Sequence, residues 1–285
     1  LFTMLYRLLF VFVCVVMLGI ANLSLARAGE APQPIGLKIG VIDISFAPYH
    51  IIENNQAKGP DIDVIRAVVS RIDSDFKVLL LPQKRATDYL IKGRIDLGVL
   101  FKMDRYRKHV VFGAQPLHKS TYRLAILNDT PFSYERLEDL YSHGDIGVVF
   151  GNSIGVEFDE AVALGNIKPI QVNTMAKLPE LLFLKRVKAV AVNERIFTWY
   201  LEQRGEIHNV RFLDKPIGEE RVFQLGISRK VKNIQPEDLR DKVDYFLERM
   251  LETGELQEIY ASYGLSMQYY DPHWSNTQST STESQ

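Results

Sequence analysis

Twice along this chain a strand-patterned segment leads into a helix-patterned one and on to another strand, and one late strand returns after the second run. The first run opens with LKIGVID at 37–43, an alternating apolar stretch. Ile62, Ile65, Val68, Val69 and Ile72 then recur at helical spacing, with Asp61 as the expected N-cap. KVLLL at 77–81 reads as a strand, 85–92 as a short helix closed by Gly93, and IDLGVL at 95–100 as a third strand. The second run holds strands at 122–127, 145–150, 167–172 and 189–192, with short helices at 135–141 and 177–185. RVFQLGIS at 221–228 is the late strand; an amphipathic helix at 236–253 and a final helix at 255–263 follow it. Such alternation requires crossover connections, hence largely parallel sheets with helices on their faces. Two such units and a returning strand imply two lobes with a ligand cleft between them.

Composition closes off other classes. The 285 residues include 34 Lys+Arg against 35 Asp+Glu, so no charge excess points to nucleic acid. A hydrophobic share of 46% with 24% charged residues is that of a folded chain rather than a disordered one.

The first 28 residues read separately. Arg7 precedes the apolar run LLFVFVCVVMLGIA at 8–21, and Ala26-Arg27-Ala28 supplies a small-residue cleavage pattern. That is the layout of a secretory signal peptide, with Met4 as the expected start, cleavage after Ala28 and a periplasmic destination. The run is shorter than the roughly 20 residues of a spanning helix. Cys14, the only cysteine, lies in this segment, so the exported chain has no thiol for a disulfide, a metal or nucleophilic catalysis. The six histidines show no metal-ligand spacing, and no nucleophile elbow or phosphate loop occurs. No metal and no cofactor are expected. The end of the chain, residues 266–285, is polar and low in complexity and is expected to be a disordered tail.

Short motifs in a fixed order carry a resemblance. They are Phe46-Ala47-Pro48-Tyr49 after the first strand, Gly59-Pro60-Asp61-Ile62-Asp63-Val64 at the first helix, and Gly93-Arg94-Ile95-Asp96-Leu97. Then follow Arg107-Lys108-His109-Val110-Val111-Phe112, the segments 147–153 and 185–193, and ETGELQEIY at 252–260. Together they resemble the periplasmic solute-binding proteins of ABC importers, of the polar amino-acid type, over about 37–264. The resemblance implies an α/β, two-lobed periplasmic-binding-protein-like fold, each lobe a mainly parallel sheet flanked by helices, with a two-strand hinge. One lobe would comprise 36–121 plus 222–265 and the other 122–221, hinged near 120–122 and 220–222. It implies a monomer without catalytic residues that closes on a small polar ligand and hands it to an inner-membrane permease. Two other readings stand beside it: a sensing module that signals to a receptor, and a dehydratase-like enzyme on the same fold, for which Glu194 or Asp43 would have to serve as the acid.

The same resemblance nominates ligand groups. Phe46 or Tyr49 would stack on the ligand. Arg107, in competition with Arg105, would clamp a carboxylate through paired charge-assisted hydrogen bonds. Asn152 and Ser153, between a strand and a helix, would bind its other face through a hydroxyl and exposed amides, or simply cap the helix. Asn193 stands where amino-acid binders of this type carry an Asp for the ammonium. A neutral amide does not offset the desolvation of a buried cation, so the expected ligand is a small carboxylate, either a modified amino acid or a non-amino organic acid.

Overall fold

The computed structural model describes residues 35–101, 106–141, 145–271 and 273. Its strands form two mixed sheets and a small hairpin. In the first sheet β1 (Lys38–Ile42) pairs in parallel with both β4 (Lys77–Leu81) and β5 (Leu97–Phe101). β13 (Arg221–Ser228) adds antiparallel to β5, then pairs with β6 (Val110–Phe112) and β7 (His118–Ser120). The late strand therefore belongs to the first sheet. In the second sheet β9 (Ile146–Val149) lies parallel to β10 (Ile170–Val172) and β11 (Ala189–Asn193). β8 (Tyr122–Leu127) runs antiparallel to β11 and to the edge strand β12 (Val210–Phe212). Among the described pairings, three of five in the first sheet and two of four in the second are antiparallel, so neither sheet is mainly parallel; β13, arriving from the far end of the chain, and β8, arriving from the first sheet, join their neighbours without a strand–helix–strand crossover. The hairpin β2 (Ile51–Glu53) and β3 (Gln56–Lys58) turns through Asn54-Asn55, both at positive φ, as a tight two-residue loop requires.

Burial explains why these segments hold. Leu124 and Ile126 face one side of β8 while Ala125 and Leu127 face the other, and all four are buried in separate clusters. A strand covered on both faces reads as an apolar run, as AVAVN of β11 also does. Helix α1 (Pro60–Ser70) starts with proline at its first position and puts Asp61 and Asp63 in its first turn, which suits the helix dipole. α2 (Gln83–Lys92) ends on left-handed Gly93. In the second sheet's layer lie α3 (Val156–Ala163), α4 (Leu178–Phe183) and α5 (Glu194–Gln203), the last not foreseen from its mixed composition. α6 (Pro236–Glu252) buries Leu239, Val243, Leu247 and Met250, one stripe at helical spacing, against β6 and β13; α7 (Glu255–Ser262) follows after left-handed Gly254.

Two expectations change here. The N-cap of α1 is Gly59, not Asp61; Asp61 sits within the first turn, 2% exposed, with Oδ1 3.1 Å from His118 Nδ1. The His118 ring lies between Tyr49 (centroids 3.8 Å apart) and Phe223 (4.5 Å). One carboxylate thereby ties α1 to β7, where the chain leaves the first sheet. The chain from 265 to 271 is also packed rather than loose: Leu265, Met267, Tyr269 and Tyr270 are buried, and Lys119 N–H donates to the Tyr270 carbonyl at 2.7 Å.

Asp61→Ala leaves a buried imidazole N–H without its acceptor, which costs about 1–3 kcal/mol. Asp61→Asn keeps an acceptor of the same shape. Urea denaturation should show the alanine variant losing at least twice as much stability as the asparagine variant, about a twofold ratio being the smallest that separates a lost acceptor from a lost charge.

Candidate functional site

In open α/β sheets ligands collect at the carboxyl ends of the parallel strands. Beyond β1 lies the loop of residues 43–50. Phe46 N–H donates to the His50 carbonyl (2.8 Å), and His50 N–H donates back to that of Phe46 (3.2 Å). The peptide between Ala47 and Pro48 is cis. The Phe46 ring is half-buried, 5.5 Å from the His50 ring. His50 Nε2 donates to the Ile44 carbonyl at 2.8 Å, and burial lowers its pKa, with Asp61 pulling the other way. Tyr49 does not share this exposure. It is 1% exposed, stacked on His118, and its hydroxyl donates to the Tyr269 carbonyl at 2.9 Å. Burial pushes that phenol well above its ordinary pKa. Tyr49 is a core residue, so of the two aromatics only Phe46 is partly exposed. Asp43 and Ile44, both exposed, stand beside it.

The loop beyond β9 carries Phe150, Gly151, Asn152 and Ser153, all exposed. It does not open directly into a helix as its residue types suggested: α3 begins at Val156, capped by Gly155. The Asn152 amide donates to the Val149 carbonyl (3.2 Å) and the Ile154 amide to Asp159 Oδ1 (3.0 Å), so both serve the loop itself. Beyond β11, Asn193 is 2% exposed and caps α5, its Oδ1 accepting from Ile196 N–H at 3.2 Å. Either Asn or Asp serves there. Its neighbour Glu194 accepts from Arg123 Nε at 2.7 Å.

Of the two competing arginines, Arg105 lies outside the described residues. Arg107 is exposed, on the turn leading into β6, and its carbonyl accepts from Arg229 Nε at 3.1 Å.

One residue beside these loops escaped the sequence reading. Arg221, the first residue of β13, reaches from the first sheet to the second. Its Nη2 donates to Ser153 Oγ at 3.0 Å, and its Cζ lies 4.5 Å above the Tyr122 ring. Burial raises the Tyr122 phenol pKa, and the Arg221 charge partly opposes the rise. The available signal was an arginine opening a largely apolar strand just after Glu219-Glu220. Among the described residues no cluster of side chains fits a metal ion, and no helix is long and apolar enough to cross a membrane.

Several solved structures share this fold. An ancestral arginine-binding protein bound to arginine is 20% identical, with a TM-score of 0.60 over 80% of this chain and 97% of its own. The arginine-, lysine-, histidine-binding protein ArtJ from Geobacillus stearothermophilus is 18% identical, with a TM-score of 0.59 over 81% of this chain and 97% of its own. A histidine kinase sensor domain with similarity to periplasmic binding proteins is 15% identical, with a TM-score of 0.60 over 83% of this chain and all of its own. Comparison with curated proteins gives no match. The model of the bacterial extracellular solute-binding proteins, family 3, matches residues 37–266, which span both sheets. This chain therefore belongs to family 3 of the bacterial extracellular solute-binding proteins, a family of binders rather than enzymes.

Proposed function

We propose that this protein, exported by cleavage after Ala28, captures a small carboxylate-bearing solute in the periplasm and delivers it to an ABC permease. The lobes are residues 36–121 with 222–265 and residues 122–221, and the hinge runs through 120–122 and 220–222. Closure brings Phe46 and Arg107 from one side against Ser153 and Asn152 on the other and excludes water around the ligand. The observation that carries this reading is the family match over 37–266, because it takes in the carboxyl-end loops of both sheets. A sensing role without transport is the second reading, favoured by likeness to a sensor domain whose whole length is covered.

A thermal-shift panel tests it: the twenty amino acids, their N-acetyl derivatives and short organic acids, with hits measured by calorimetry. At least one carboxylate should raise the melting temperature. Arg107→Ala should weaken its binding about a hundredfold, at about 1.4 kcal/mol per tenfold. If no carboxylate binds, the reading is wrong. If one binds and ignores Arg107→Ala and Arg105→Ala alike, the clamp in the first lobe is misassigned. Transport and sensing separate on a strain lacking the gene: loss of ligand uptake supports delivery, and intact uptake with an altered response to the ligand supports sensing.

A further inference from the structure

The end of the described chain crosses from one lobe to the other beside strand β7. Met267, Tyr269 and Tyr270 are buried. The Tyr269 carbonyl accepts from the Tyr49 hydroxyl at 2.9 Å, and the Tyr270 carbonyl accepts from Lys119 N–H at 2.7 Å. Lys119 Nζ meets Asp271 at 2.7 Å, and the Tyr270 ring stands edge-on to Tyr260, centroids 6.2 Å apart. All of these contacts hold the segment to the first lobe. The Tyr269 side chain reaches the second. Its hydroxyl donates to Glu202 Oε2 at 3.2 Å, and Arg195 Cζ lies 5.9 Å from its ring centroid. Both partners belong to α5, whose Phe197 and Leu201 are buried in a core cluster of the second sheet. Burial, followed by the charge of Glu202, pushes the Tyr269 phenol well above its ordinary pKa, so it stays a donor.

The two contacts on α5 stand at different distances from the hinge. At the start of the helix, Glu194 N–H donates to the Thr121 carbonyl at 2.9 Å, so this end pivots on the hinge itself. Arg195 is the next residue. Glu202 lies eight residues beyond Glu194, about 12 Å along the axis at about 1.5 Å per residue. Tilting the helix by about 15° about its hinge end carries Glu202 about 3 Å and leaves Arg195 almost in place. A hydrogen bond of 3.2 Å does not survive that displacement. In the arrangement that contains this bond, the loops beyond β1 and β9 face solvent: Ile44 is 47% and Phe150 68% exposed. The bond therefore belongs to the open arrangement of the lobes.

Resting on the two-lobed closure proposed above, we infer that residues 265–271 form a strap that holds the cleft open: the Tyr269 hydroxyl engages Glu202 while the lobes are apart and must release it when they close on a solute. The strap sets affinity without touching the solute, because binding has to offset the bond that closure breaks.

The test uses protein beginning at Gly29, which contains no cysteine. The probe is the strongest-binding member of the panel of amino acids, N-acetyl derivatives and short organic acids, measured by calorimetry on the parent, Y269F, E202A, E202Q and the double variant Y269F/E202A. Y269F deletes only the hydroxyl, and E202A changes an exposed side chain. Each should tighten binding about threefold to tenfold, the equilibrium equivalent of one partly exposed hydrogen bond. The double variant should bind no tighter than either single one, since both remove the same contact. E202Q keeps an acceptor and should stay within about twofold of the parent. Residues that merely supported the fold would weaken binding when changed. Unchanged or weaker binding by Y269F and E202A, a gain in only one of them, or additive gains in the double variant overturns the inference while leaving the binding function standing. Should Y269F fail to fold, E202A against E202Q decides alone. A second measurement needs no solute: spin labels at S74C and K168C, exposed sites one in each lobe, report the spacing of the lobes. Y269F and E202A should raise the short-distance population, and an unchanged distribution in both overturns the inference. If nothing in the panel binds the parent, the proposed function falls, and the distance distributions alone decide whether the strap holds the lobes apart.

Discussion

A chain ending at Leu265 is expected to melt on the order of 10 °C below one ending at His273. The deleted segment is short, but Met267, Tyr269 and Tyr270 are each buried to within 6% of full coverage. Losing one packed aromatic alone costs about 3–5 kcal/mol. The chain entropy regained by the freed segment offsets part of the loss of three packed side chains, and a net loss of about 3–4 kcal/mol, that of one packed aromatic, is expected. At about 2–4 °C per kcal/mol for a chain of this size, that gives the stated shift. The contacts show where the loss would be felt. The Tyr49 hydroxyl loses its acceptor on Tyr269, and the Lys119 amide loses the Tyr270 carbonyl. Lys119 Nζ loses Asp271 at 2.7 Å. Tyr269 also donates to Glu202 on α5 at 3.2 Å, and Arg195 lies 5.9 Å from its ring centroid, so the segment fastens the first sheet to a helix of the second. Differential scanning calorimetry of the two truncations isolates residues 266–273. Equal melting temperatures would mean that the packing seen for these side chains contributes nothing.

That segment also shows where sequence reading fails. SMQYYD looks polar because serine, glutamine and aspartate flank its large side chains, and nothing local announces a partner 150 residues away. What pattern did reveal were elements whose own burial writes a period: the largely buried runs of β8 and β13, the fully buried run of β11 and the stripe of α6. Hidden were the short edge strands β6, β7 and β12, three residues each, which exist only because a neighbouring strand offers a ladder. The site divides in the same way. Phe46 and Ser153 were nominated because they follow strands, and in the structure Phe46 is half-buried and Ser153 exposed on those loops. Tyr49, offered as the alternative to Phe46, lies inside because an aromatic after a strand is equally at home there, and here Asp61 and His118 complete a buried stack around it. Asn193 was nominated as a ligand group although its residue type suits a helix start, and the capping bond to Ile196 was not inferred. Arg221 stayed hidden because its contact with Ser153 joins residues 68 positions apart, across two sheets.

Gly59→Ala should have the other large effect, and it should strike stability and binding together. Gly59 holds φ 119° and ψ 168°, a conformation that only glycine adopts without strain, of about 1–3 kcal/mol for other residues. Space is the second obstacle. A Cβ there would lie 2.5 Å from the Tyr49 carbonyl oxygen and 2.9 Å from His50 Cα. Both are backbone atoms, so no rotamer change relieves the contact, and overpacking of this kind costs a further 1–3 kcal/mol or so. About 2–6 kcal/mol of destabilisation is therefore expected, read as a shifted urea midpoint with unchanged slope. The displaced atoms belong to the loop that presents Phe46: the Tyr49 carbonyl accepts from Asp61 N–H at 3.2 Å, and His50 closes the bridge to Phe46. Relief of the clash must push this loop away from α1. Where the variant stays folded, ligand affinity should fall by at least about tenfold, the effect of a small misplacement of a contact group. Phe46→Ala separates the two consequences, since it removes the half-buried ring while leaving the backbone of the loop in place. If Gly59→Ala lost stability but bound ligand like the parent, the loop of residues 43–50 would have to be placed outside the binding site.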